Sequence, residues 1–180
     1  MAGQQAAFQA LVDLAFRSKQ SAKGLPAQVD IKPNWSGVGF SLLGSRFVSP
    51  MGAVSEMLEV PSYTHLPGVQ SWVKGVANVR GRLLPLFDLA AFFGEKMGKQ
   101  RKQRRVLILE TSNVYSGLIV DQVFGMQHFQ IDTYSADADG VKEQVKPFVA
   151  GSYRLDGHQW WVFNPMGLAE DARFVNAAQG

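Results

Sequence analysis

The sequence predicts an all-β protein, a barrel or sandwich with small helices at its edges, and three observations carry that reading. Short apolar runs recur at close spacing from Trp35 to Phe163. Glycine and proline punctuate them, as turns between strands require. Arg80-Gly81 and Asp156-Gly157 each sit between two such runs, and an Asp-Gly pair in that setting is a strong hairpin signal.

From the N-terminus, residues 4–23 read as one amphipathic helix, because Phe8, Leu11, Val12 and Ala15 repeat at the spacing of a single helical face. Gly24 and Pro26 end it, and the arm is suited to packing on its own domain or to binding a partner. Val38, Phe40 and Leu42 alternate with Gly39 and Ser41, so the first strand buries one face. Gly44-Ser45 turns the chain toward a returning strand at 46–48, and residues 54–60 form another strand closed by Pro61. Residues 72–79 and 83–87 make a hairpin. Asn78 and Gly81 bracket its turn, where both residue types tolerate left-handed backbone angles, and Arg80 is held at the tip with its guanidinium facing outward. Pro85 lacks an amide donor and is expected at a sheet edge or a bulge. Residues 88–93 form a short helix, with Asp88 as N-cap and Gly94 as its stop.

The next stretch is basic: Lys99, Arg101, Lys102, Arg104 and Arg105 fall within seven residues. It reads as a solvated connector, with phosphate binding as the sharper alternative. Residues 106–109 are continuously apolar, as a strand buried on both faces would be. Strands follow at 115–120 and 122–129, then a polar loop at 135–146. Residues 147–154 and 159–163 flank the Asp156-Gly157 turn, and 165–174 reads as a terminal helix. The pattern divides at 95–105 with strands on either side, so two small barrels, or one barrel and a sandwich, both fit.

A length of 180 residues suits one compact domain or two small ones, enough to bury about 70% of the unfolded chain's surface. An apolar share of 46% against 18% charged excludes a disordered chain. The absence of cysteine excludes disulfides, thiolate metal sites and a cysteine nucleophile. No apolar run approaches the ~18 residues a membrane span needs, and Asp13 interrupts the one signal-peptide candidate, so a cytoplasmic protein is expected.

The search for chemistry is largely negative. His65, His128 and His158 are far apart and in no metal-binding spacing. Residues 135–140 resemble the start of a calcium loop, but the acid needed at its twelfth position is Lys146. Gly37-Val38-Gly39 opens like a dinucleotide fingerprint, yet the third glycine slot is Leu42 and no βαβ unit surrounds it. No serine occupies a nucleophile elbow, and no phosphate loop is present. No catalytic residue, metal or cofactor is expected. Nucleic-acid binding by a small barrel is the competing class, although the basic run carries no aromatics for base stacking.

Residues 54–94 carry a more specific pattern. Val54-Ser55-Glu56-Met57 is followed by Leu66-Pro67, by Val73-Lys74-Gly75-Val76-Ala77-Asn78-Val79-Arg80-Gly81, and by Leu84-Pro85-Leu86-Phe87-Asp88-Leu89. This is similar to the signature of the CheW family of chemotaxis coupling proteins. Gly117-Leu118-Ile119-Val120-Asp121-Gln122-Val123 resembles a second family strand, and the likeness covers roughly residues 37–170. Trp35-Ser36-Gly37-Val38-Gly39-Phe40 and Trp72 bring the chain nearest the PilI-type branch of type IV pilus systems. Residues 46–50 depart from the family's tyrosine-rich hairpin, and the N-terminal helix is longer than in many members.

The resemblance implies a CheW-like fold of two small five-stranded β-barrel subdomains with short flanking helices. It divides the chain into an N-terminal helix and linker at 1–36, the domain at 37–170 with subdomains parting near 95–105, and a tail at 171–180. It implies a non-catalytic adaptor joining the regulatory domain of a CheA-like histidine kinase to the cytoplasmic tip of a methyl-accepting chemoreceptor. The adaptor would be cytoplasmic, recruited to membrane-bound receptor arrays, in control of twitching motility or alternatively of flagellar chemotaxis. By motif position Val54, Glu56, Gly75 and Arg80 match partner-surface residues, and Met126 aligns to a receptor-facing site. Neither nucleic acid nor direct membrane insertion is expected.

Overall fold

The computed structural model describes residues 9–15, 17 and 32–177, and separates two units between Lys32 and Pro33. In the first unit residues 9–15 are helical and exposed. The rest of the expected helix at 4–23, with Phe8 and the Gly24 and Pro26 stop, lies outside the described residues apart from Arg17, which is also helical.

The second unit contains two five-stranded sheets. One holds β1 (Asn34–Leu42), β2 (Ser45–Pro50), β8 (Gln122–Gln130), β9 (Val149–Leu155) and β10 (His158–Phe163), in the order β8-β1-β2-β10-β9. The other holds β3 (Glu56–Glu59), β4 (Val73–Val79), β5 (Arg82–Asp88), β6 (Arg105–Glu110) and β7 (Tyr115–Val120), in the order β3-β6-β7-β5-β4. The expected division at 95–105 is corrected here. That connector joins β5 to β6 inside one sheet, while the other sheet is assembled from the two ends of the unit.

The sheets share one plan. Each is two antiparallel hairpins joined by a parallel pair, β2 with β10 and β5 with β7, plus one further antiparallel strand. The likeness extends to detail. Gly75 (φ 144) and Gly151 (φ 155) occupy matching positions, each followed by a residue bridged to an outside segment, Val76 to Thr64 and Ser152 to Ser135. Arg80-Gly81 and Asp156-Gly157 form matching two-residue turns with positive φ throughout. Asp88 and Asn164 then cap the helices that follow, α1 (Leu89–Phe92) and α2 (Pro165–Glu170).

Packing explains the apolar runs. Val106, Ile108, Leu84, Leu86 and Ile119 fill a small core within the second sheet. Phe129, Tyr153, Trp160 and Val162 do the same in the first, where Phe129 on β8 and Tyr153 on β9 bring the outer strands into ring contact at 5.1 Å. Leu107, Leu109, Leu118 and Val120 face the other way, into a shared core with Phe40, Phe47 and Phe163. A strand such as β6 therefore buries both faces and reads as an unbroken apolar run.

Three expectations change in detail. Asn78 stays within β4 and Arg80 itself takes the left-handed angle (φ 53), while the Asn78 Oδ1 accepts from Gly81 N at 2.9 Å. Pro85 lies in an interior strand: it pairs with Val76 on one side, and the parallel ladder to β7 starts at Leu86, so no ladder bond needs its missing donor. The terminal helix breaks at Asp171 (ψ 129), which ends α2 and caps α3 (Ala172–Val175).

Candidate protein-interaction site

Glu56 opens β3, the outer strand of the second sheet. Ser55 anchors that opening, with its N donating to the Ile108 carbonyl at 2.8 Å and its Oγ donating to the same oxygen at 3.2 Å. Arg80 follows β4, the opposite outer strand. Its Nη1 donates to Glu56 Oε2 at 2.8 Å and its Nη2 to Glu56 Oε1 at 2.5 Å. The paired fork clasps the seam where the two outer strands do not bond each other, while the Arg80 side chain stays 77% exposed. The guanidinium thus faces solvent, as expected, but is oriented by a partner that spacing did not reveal. Beside it Arg82 donates to Glu110 at 2.5 Å and lies 3.8 Å over the Tyr115 ring. The Glu110 hydrogen bond holds the Arg82 guanidinium above its ordinary pKa.

The other expected residues do not all join this cluster. Val54 is half-buried against the shared core, in a turn where Ala53 N donates to the Pro50 carbonyl. Gly75 is buried, and a Cβ there would lie 2.0 Å from the Thr64 carbonyl oxygen. Its constraint is backbone packing, on the strand that leads to Arg80. Met126 belongs to the other sheet, on β8 opposite Val38, and is exposed.

Between β3 and β8 runs a groove of about 380 Å³ lined by Met57, Leu58, Glu59, Arg105, Val123 and Gly125. Met57 is exposed on its rim and was not singled out from sequence, although its outward position follows from the alternation of β3 once the strand's first residue is known. Asp121 was seen as part of a motif, without a role. It is 3% exposed and accepts from Leu43 N at 3.1 Å and from Lys99 N at 3.2 Å, tying the β1–β2 turn and the connector to the corner between β7 and β8. The histidines stay apart: His128 hydrogen-bonds Ser36 Oγ at 2.7 Å and His65 packs edge-on to Tyr63. Among the described residues no helix is long and apolar enough to cross a membrane.

Known proteins resemble this chain in sequence and in fold. A family model for the CheW-like domain matches residues 36–173. The chain is 49% identical to protein PilI of Pseudomonas aeruginosa over 99% of both chains. It is 30% identical to chemotaxis protein CheW of Helicobacter pylori, over 63% of this chain and 68% of that one. The crystal structure of the scaffolding protein TtCheW from Thermoanaerobacter tengcongensis matches with a TM-score of 0.66 at 27% identity, covering 78% of this chain and 95% of that one. Sequence motif, topology and structural likeness agree, and the chain belongs to the CheW-like domain family.

Proposed function

We propose that this protein is a non-catalytic adaptor coupling a methyl-accepting chemoreceptor to a CheA-like histidine kinase, in a chemosensory pathway that controls type IV pilus twitching motility. The similarity to PilI over nearly the whole of both chains supports the pathway. The observation that carries the adaptor reading is the Glu56–Arg80 clasp. The matching turn of the other sheet has Asp156, for which no side-chain partner is found among the described residues, so this plan closes without a clasp. An oriented, solvent-facing guanidinium that the fold does not need is well suited to a partner's carboxylate or carbonyl.

Val54, Glu56 and Arg80 form the kinase-facing side in this reading, with Gly75 holding β4 in shape. The groove between β3 and β8, with Met57 at its rim and the exposed Met126 following Gly125 on β8, takes the receptor tip, since exposed methionines adapt to an apolar helical ridge. Each interface has an apolar centre and a charged rim. Signalling then follows from geometry, because one rigid body holds kinase and receptor at a fixed separation, on the cytoplasmic side of membrane-bound receptor arrays.

A calorimetric titration with the regulatory domain of a CheA-like kinase from the same genome tests this reading. Saturation near one to one is expected, and Met126→Lys leaves that titration intact while abolishing capture of a receptor-tip fragment. No heat of binding at high concentration of both proteins overturns the adaptor function.

A further inference from the structure

Glu56 and Arg80 lie at one end of the second sheet. At its opposite end β4 and β6 begin and β5 and β7 finish, and a cavity of about 220 Å³ opens there among Tyr63, Lys74, Asp88, Arg101 and Arg104. Six chain steps, five of them within β4, lead from Lys74 to Arg80, roughly 20 Å. We propose that this cavity is a docking socket for an acidic side chain of a protein partner, distinct from the Arg80 end.

Its charges are unbalanced. Asp88 is the one carboxylate lining it, and it is committed: Oδ1 accepts from Ala91 N at 2.9 Å, and Oδ2 lies 3.5 Å from Lys74 Nζ. Arg101 rests over the Tyr63 ring at 5.9 Å, and Arg104 uses its Nε on the Lys99 carbonyl at 3.0 Å, which leaves its two Nη groups for a ligand. Among the described residues no carboxylate pairs with Arg101 or Arg104, nor with Lys99 or Lys102 beside them. Three cations therefore converge with one anion between them. The connector's own hydrogen bonds hold Arg104 in place, which lowers the ordering cost of binding.

The fold does not require this arrangement. In the first sheet the positions matching Lys74 and Asp88 are the neutral Ala150 and Asn164, and the helix that follows is still capped, by Asn164 Oδ1 accepting from Gly167 N. The ligand class follows from shape and chemistry. The volume lies below the range of about 300–1,000 Å³ of small-molecule sites, so the socket takes a side chain. The guanidinium fork matches a carboxylate. The one aromatic ring lining it, Tyr63, is half-buried with Arg101 over one face, so it is a poor stacking platform for a nucleobase.

Fluorescence anisotropy of a labelled hexaglutamate peptide with the full chain tests the socket, with a hexathymidylate oligonucleotide as the second probe. Saturable peptide binding is expected, weakened about tenfold by Arg104→Ala and by Arg101→Ala, a loss in the range of one broken charge-assisted contact. Arg154→Ala, an exposed cation on β9 in the other sheet, leaves it unchanged, and matching melting curves show that all three variants fold. Equal weakening by Arg154→Ala reduces the effect to bulk charge and overturns the socket. So does tighter binding of the oligonucleotide, or no peptide binding at low salt.

Discussion

Arg80 and Glu56 meet fork to fork, at 2.8 and 2.5 Å, from the two outer strands of a sheet whose seam they close. Glu56 is one-third exposed and Arg80 mostly so. A pair this open to solvent contributes about 0.2–1 kcal/mol to folding.

That magnitude separates a folding role from a binding role. Arg80→Ala and Glu56→Ala each lower stability by less than about 1 kcal/mol in urea unfolding. Each weakens kinase-domain binding about tenfold or more, as loss of an oriented interfacial arginine does. The double variant binds no worse than Arg80→Ala, because Glu56 acts by orienting the arginine. Additive losses in the calorimetric cycle would show two independent contacts instead.

Gly75→Ala unfolds the protein or lowers its stability by about 3 kcal/mol or more, because the new methyl meets the Thr64 carbonyl oxygen at a φ of 144. Gly44→Ala is the matched control. Gly44 also has positive φ, but nothing lies within 4 Å of the added Cβ, so it costs about 1 kcal/mol. Similar melting temperatures for the two variants would show that the contact at Thr64 relaxes freely.

The contrast between these glycines marks what was legible in the sequence. Turns and strands were readable because their signals are local: Asp156-Gly157, the alternation of residues 38–42 and the unbroken run at 106–109 are fixed by neighbours in the chain. Arg80 was readable as a loop-tip residue, but Glu56 as its partner was not, since 24 residues separate them and only sheet closure brings them together. The expected break at 95–105 failed for a related reason. Charge density marks exposure, and the connector is exposed, but a hairpin-to-hairpin link inside one sheet is as exposed as a link between two domains. Gly75 is legible as a motif residue, but the close backbone approach it makes to Thr64 is reported by no spacing pattern.

Asp171 gives a pH dependence. The hydrogen bond from the Arg173 side chain holds its carboxyl below the ordinary value of 3.8, while it also caps α3 by accepting from Arg173 N at 2.9 Å. With the folded value depressed, its contribution is complete above the unfolded value and is lost as pH falls from there through the folded value. The melting temperature should therefore fall on acidification across and below that range. Asp171→Asn keeps a side-chain oxygen for the cap and cannot titrate, so its curve is flatter over the same window. Parallel curves for the two proteins would mean that the pair contributes nothing to folding.

Asp121 is the joint on which both sheets depend, and its removal should cost more than loss of the clasp. Its two oxygens each hold one backbone amide, Leu43 N of the first sheet's turn and Lys99 N of the connector, inside a site 3% exposed. Asp121→Ala leaves both donors without an acceptor, at about 1–3 kcal/mol for each group that water does not reach. A loss of about 3 kcal/mol corresponds to roughly 6–12 °C in melting temperature for a protein of this size. Asp121→Asn retains one acceptor oxygen and presents an N–H to the other amide, so it falls between alanine and the native residue. Once corrected for folded fraction, neither variant changes kinase-domain affinity, because Asp121 is only 3% exposed and offers no side-chain surface to a partner. An affinity loss with unchanged melting would place Asp121 at the interface and leave the two sheets held together by the shared core alone.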